Sequence, residues 1–196
     1  MKRLLSLAGI VCLFASLLIA GDNAISEKKM DPFAIVCMHC NGSYEQMNKA
    51  IEGFIQEFFS QKLVPDGPLM GIYYNSPDMV SPEELKWAVG FPVVGNVKVN
   101  EPLKLCHFKH ELVLCHLYKG PYEQMAKAYE AIEAYMKENS YQWDGPAYER
   151  WLDNPQEVKP ENLRTEIIVP VKRCTVEVVK PEEGKPLKPE EQQEPR

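Results

Sequence analysis

The sequence has no lysine- or arginine-rich stripe: 22 basic residues stand against 28 acidic ones over 196 residues, a formal net charge of −6. Nucleic-acid binding relies on clustered cationic side chains that release phosphate counterions, so no nucleic-acid partner is expected. Haem attachment through Cys-x-x-Cys-His is also missing, because Asn41 follows Cys40 in the run Cys37-Met38-His39-Cys40. No Cys/His spacing matches a standard zinc pattern. A thioredoxin-like pair would open a helix, whereas Cys37 and Cys40 precede the helical pattern. No cofactor is therefore expected. Two processing signals are absent as well. No Leu-Ala-Gly-Cys run precedes Cys12, which argues against lipid attachment, and no small-x-small cleavage site follows the first apolar stretch, since Leu18 stands before Ala20 and Asp22 before Ala24.

That stretch is the first feature present. Met1-Lys2-Arg3 is followed by an uncharged run from Leu4 to Ala20, the pattern of an export segment with its basic end held inside. Residues 1–24 are expected to be a signal sequence or a retained membrane anchor. The rest would then lie in the periplasm or cell envelope, with membrane attachment through this segment in the second case. At the other end, KPEEGKPLKPEEQQEPR from Lys180 carries no aromatic or β-branched residue. Such composition buries too little apolar surface to offset ordering entropy, so 177–196 is expected to be a disordered charged tail. The remainder is one domain's worth of chain.

GSYEQM at Gly42–Met47 returns as GPYEQM at Gly120–Met125, 78 residues on, and at that offset Asp66-Gly67-Pro68 meets Asp144-Gly145-Pro146 and Pro92-Val93 meets Pro170-Val171. Matches over this length mark two copies of one supersecondary unit, assigned to 33–93 and 111–171. In the first, the apolar run from Phe33 reads as a strand, and Ser43 with Gln46 forms a capping-box pattern. Tyr44, Met47, Ile51, Phe54, Ile55, Phe58 and Phe59 make a helical stripe. Strands follow at Leu69–Asn75 and Leu85–Val93. The second copy repeats the grammar with a strand at Glu111–Tyr118, a stripe of Tyr122, Met125, Tyr129, Ile132 and Met136, and strands at Ala147–Leu152 and Leu163–Val171. A further extended segment is expected near Val97–Val99. The fold class is α+β: tandem strand–helix–strand–strand units related by a pseudo-twofold, forming an antiparallel sheet with two helices and a central cleft. Tyr44 and Tyr122 read as structural residues opening each helix, and Glu45 and Glu123 complement the helix dipoles.

The strings ELKWAVGFPV (84–93), GPYEQM (120–125) and LRTEIIVPV (163–171) resemble the GyrI-like small-molecule-binding domain, the effector-binding domain of AraC- and MerR-type multidrug regulators, within the SOUL-like superfamily of tandem units. The resemblance covers 32–176. It implies an aromatic cleft between the halves with a buried glutamate on the last strand, in which relatives bind lipophilic, often cationic compounds. Some stand-alone members resemble hydrolases that open strained cyclopropane rings with such a glutamate. The regulators' helix-turn-helix domain has no counterpart here, so a stand-alone, exported module is expected.

At the repeat offset Glu166 faces Ala88, a carboxylate where the twin strand has a methyl. An acid amid Ile167, Ile168 and Val169 either points to water or sits in an apolar cleft, where desolvation raises its pKa and favours a cationic partner. The resemblance assigns the cleft. Trp87, Trp151, Tyr73 and Tyr118 supply candidate walls, since aromatic faces with a carboxylate hold organic cations. The expected function is non-enzymatic binding of an amphipathic small molecule by these five residues. The alternatives are hydrolysis of an electrophilic lipophilic toxin with Glu166 as acid or base, and metal handling. For the last, all four histidines lie near cysteines, and Cys37, Cys40, Cys115 and His116 are the candidate ligands. Disulfide pairing of Cys37, Cys40 or Cys115, or thiols left free, are the competing readings of that cluster.

Overall fold

A computed structural model of the chain describes residues 24–174; the apolar N-terminal segment and the charged tail lie outside them. Eleven elements follow in order: β1 (Ser26–Lys29), β2 (Phe33–Asn41), α1 (Met47–Ser60), β3 (Met70–Tyr73), β4 (Lys86–Val93), β5 (Lys104–Phe108), β6 (Leu112–Lys119), α2 (Met125–Glu138), β7 (Tyr141–Trp143), β8 (Ala147–Trp151) and β9 (Arg164–Arg173). The strands form one antiparallel sheet in the order β1-β6-β9-β8-β3-β4-β2-β5, with β7 paired to β9. The repeat is visible in that order. β6-β9-β8 and β3-β4-β2 are the same three strands in mirror sequence, joined where β3 meets β8 with Gly71 opposite Glu149 and Ile72 opposite Tyr148. The pseudo-twofold axis runs through this seam. The two copies thus share one sheet, as the duplicated sequence implies.

Both helices lie on one sheet face. Phe54 and Phe58 of α1 pack with Trp87, Val89 and Val93 of β4, and Ile132 and Met136 of α2 pack with Leu114, Ile167 and Val169. The opposite face is buried too, because the sheet curls on itself. Phe108 of β5 reaches Tyr148 of β8 with ring centroids 5.0 Å apart, and Ile35, Cys37, Met70, Ile72, Cys115 and Ile168 fill the hollow between. Among the described residues no helix is long and apolar enough to cross a membrane.

The hexapeptide starts the same helix twice, with a difference from the expected cap. Ser43 Oγ accepts from the Glu45 N–H at 3.2 Å, and the first turn, Tyr44–Gln46, is a 3-10 turn rather than α-helix. Its counterpart Tyr122–Gln124 follows Pro121, which has no hydroxyl to cap with. The connecting strand is Lys104–Phe108, not Val97–Val99. Next to Val99, the Asn100 N–H donates to Gln61 Oε1 (2.9 Å) and its carbonyl accepts from Gln61 Nε2 (3.0 Å). The end of α1 thus takes the backbone groups of Asn100, and the run KLCHF pairs with β2 instead.

Candidate ligand-binding site

Strand alternation decides which side chains meet above the seam. On β8, Tyr148 and Arg150 point into the curl, whereas Glu149 and Trp151 point toward the helices. On β3, Tyr73 shares the helix face. Glu149 is 6% exposed, and its carboxylate is gripped from three directions. Oε2 accepts from Tyr73 Oη at 3.0 Å and from Trp151 Nε1 at 3.1 Å. Oε1 accepts from Tyr129 Oη of α2 at 2.9 Å. The first copy contributes Tyr73 and the second contributes Glu149, Trp151 and Tyr129, so the cluster exists only because the halves associate. Tyr44, at the start of α1, sets its ring edge-on to Tyr73 at 5.5 Å and to Trp87 at 6.0 Å.

All three donors to Glu149 are uncharged, and among the described residues no lysine, arginine or histidine pairs with it. Burial pushes its pKa above the ordinary glutamate value, with the three hydrogen bonds pulling the other way. Burial first, then the Glu149 charge, drives Tyr73 and Tyr129 well above 10 and Tyr44 to about 12. These hydroxyls therefore stay protonated donors throughout the physiological range. Tyr122 is raised by burial and by the same carboxylate. Both hexapeptide tyrosines, read from sequence as helix-opening residues, thus lie within the field of Glu149. Thr165, opposite Trp151 in the β8–β9 register, adds a fully buried hydroxyl with no hydrogen-bond partner among the described residues.

The acid at the centre is not Glu166. Residue 166 belongs to the other parity of β9, the side of Ile168, where Arg150 Nη1 pairs with it at 3.2 Å and Lys28 Nζ at 3.7 Å. A carboxylate there already has two cations. Of the predicted aromatic walls, Tyr73 and Trp151 hold the glutamate directly. Trp87 is 1% exposed and donates from Nε1 to the Gly42 carbonyl at 2.9 Å, anchoring the loop before α1. Tyr118 Oη donates to the Pro121 carbonyl at 2.9 Å, the equivalent task in the second copy. The sequence did carry a signal for Glu149. At the repeat offset it meets Gly71, a sharper contrast than Glu166 with Ala88, and it shares the parity of Trp151.

Gly71 is part of the site through its missing side chain. A Cβ there would lie 2.8 Å from Tyr73 Oη and 2.9 Å from Trp151 Cζ2, the working ends of two of the three donors. Gly71→Ala is expected to displace both rings, lowering stability by ~1–3 kcal/mol through overpacking and disturbing Trp151 fluorescence. Gly53→Ala, on an open stretch of α1 where a Cβ meets nothing within 4 Å, should instead be neutral or stabilising. Thermal melts of the two variants side by side check this.

The metal candidates separate for the same reason of parity. Cys40 packs on the helix face, Cys37 and Cys115 on the curled face, and His116 is buried with Nδ1 unpartnered among the described residues. Cys115 and His116 are strand neighbours on opposite faces. Cys37 is joined to Cys106 as a disulfide, and among the described residues Cys40, Cys115 and Cys174 have no disulfide partner.

Residues 23–172 match the model of the GyrI-like small molecule binding domain. No curated protein matches the chain. Among solved structures it is similar to the EcmrR C-terminal domain, at 15% identity and TM-score 0.68, covering 78% of this chain and 99% of that one. It is also similar to a hydrolase from Listeria innocua, at 13% identity and TM-score 0.59, covering 79% and 94%. A third similar structure is SAV2435 bound to tetraphenylphosphonium, at 14% identity and TM-score 0.52, covering 76% and 94%.

Proposed function

Because the chain belongs to the GyrI-like small-molecule-binding domain family, we propose that it binds lipophilic monocations above the β3–β8 seam, with Glu149 as the counter-charge. Tyr73, Tyr129, Trp151 and Tyr44 are the aromatic surround. One observation carries this reading: Glu149 is a buried carboxylate with three donors and, among the described residues, no cation. An isolated buried charge is costly, and a ligand that brings the opposite charge on an apolar body removes that cost. Aromatic faces add about 0.5–2 kcal/mol for each cation–π contact. A similar protein, SAV2435, binds tetraphenylphosphonium, and that cation is the natural probe. Glu149 is only 6% exposed and held by Tyr73, Tyr129 and Trp151, so a ligand enters only when these rings move apart. Such an opening lowers apparent affinity by the fraction of molecules that are open. We further propose, from the export segment in the sequence, that the module works outside the cytoplasm.

Tetraphenylphosphonium should quench tryptophan fluorescence saturably, with no product formed. A neutral tetraphenyl analogue should bind more weakly. The pH dependence follows from the raised pKa of Glu149. Proton and cation compete for the carboxylate, so affinity falls as pH drops through that pKa. Stability without ligand runs the opposite way: the raised group stabilises the fold most below the unfolded glutamate value, and this is lost as pH rises through its folded pKa. If affinity for the cation proves flat across the acidic range, Glu149 is not its partner. A hydrolytic role would use the same carboxyl with the Tyr73 and Tyr129 hydroxyls beside it; turnover of an electrophilic cyclopropane, assayed by product formation, separates the two readings.

A further inference from the structure

The sheet face opposite Glu149 carries a second constellation. Strand parity puts Cys37 and His39 of β2 on the same side, and β5 pairs alongside with Cys106 opposite Ile35, diagonally next to Cys37. The Sγ atoms of Cys37 and Cys106 lie 3.7 and 3.6 Å from His39 Nε2. We propose that these three side chains, once the Cys37–Cys106 bond is reduced, bind one thiophilic d10 metal ion, Zn2+ or Cu+.

The distances carry this. An ion holding thiolate sulfur at about 2.3 Å and imidazole nitrogen at about 2.0–2.1 Å in tetrahedral geometry sets the S···N edge at about 3.6 Å. Both S···N edges already have that length, so the imidazole need not move. Only the sulfurs must part, and Cα atoms 6.6 Å apart accommodate separated sulfurs without backbone movement. Tyr74 stacks on the His39 ring at 5.6 Å and 20°, fixing the plane in which Nε2 presents its lone pair. Burial is graded across the triad from buried Cys37 through half-buried Cys106 to exposed His39, giving a soft apolar floor with an entry side. The three ligating atoms form one group within 4.8 Å, leaving a three-coordinate site, which suits Cu+, or a fourth position for water on Zn2+. The reduction balances with a dithiol: its two hydrogens pass to Cys37 and Cys106, and it leaves as its own disulfide. Metal binding then releases both thiol protons. The site is distinct from the Glu149 cluster and does not depend on the function proposed for it.

The test uses the full chain, reduced with a dithiol and desalted anaerobically, with Co2+ as probe. One equivalent should bind, with a thiolate-to-cobalt charge-transfer band, and should be displaced by Zn2+ or Cu+. Competition against a zinc chelator and a cuprous chelator then distinguishes the two ions. Cys106→Ser and His39→Ala, at half-buried and exposed positions that tolerate change, should each weaken binding at least tenfold. Cys40→Ser and Cys115→Ser should bind like the parent. The inference is overturned if the reduced chain gives no charge-transfer band, if the disulfide form binds equally well, or if Cys40→Ser weakens binding as much as Cys106→Ser.

Discussion

Glu149→Gln should weaken binding of tetraphenylphosphonium by about 30-fold or more, equivalent to ~2 kcal/mol or more. The substitution keeps the volume and one acceptor oxygen, so Tyr73 and Trp151 still have a partner. What it removes is the charge. In water that charge would contribute little, but Glu149 is 6% exposed and encircled by rings, where a Coulombic contact is poorly screened. The same variant should melt no lower than the parent near neutral pH, because the unliganded fold no longer holds an uncompensated carboxylate. Lost affinity with retained stability is the signature of a group kept for its ligand. Glu166→Gln is the control. Its carboxylate faces Arg150 and Lys28 on the other side of the sheet, so titration of that variant should reproduce parental affinity. Isothermal titration of the three proteins decides the matter; loss in the Glu166 variant with none in the Glu149 variant reverses the assignment.

The largest stability loss should come from Trp87→Ala, at about 3–5 kcal/mol. Its ring is fully enclosed under the start of α1, meets Tyr44 edge-on, and binds the Gly42 carbonyl through Nε1. Truncation opens a cavity and frees a loop carbonyl together. Against a typical total of 5–15 kcal/mol, the midpoint of thermal unfolding should fall by about 10 °C or more. Trp87→Phe retains much of the packing and loses mainly the hydrogen bond, ~1–2 kcal/mol. Were Trp87 a wall of the ligand site, affinity would fall out of proportion to stability. An anchor predicts near-parental affinity in the Phe variant, measured well below its melting midpoint.

Which residues form the strands and helices was legible in sequence because the evidence is local and doubled. The GxYEQM starts, the stripes at spacings of three and four, and the Asp-Gly-Pro turns each occur twice, and the pairing of halves follows from a unit that cannot cover a sheet alone. The short strands β1, β7 and β5 were not legible there. Four residues or so carry little pattern, and their pairing is set by which neighbour offers a free edge.

The tertiary structure alone decided which acid is buried. Glu149 and Glu166 both sit in apolar strands and differ in the parity that faces the helices. In a sheet with one wet face, hydrophobic alternation labels the inside. Here helices cover one face and the sheet's own curl covers the other, so both parities are apolar and the labels vanish. The same ambiguity hid the approach of Cys106 to Cys37 and His39, which depends on β5 pairing beside β2 across some seventy residues of chain. Composition and repetition determined the architecture; only the pairing of strands across the seam and at the edges settled which side chains share a face.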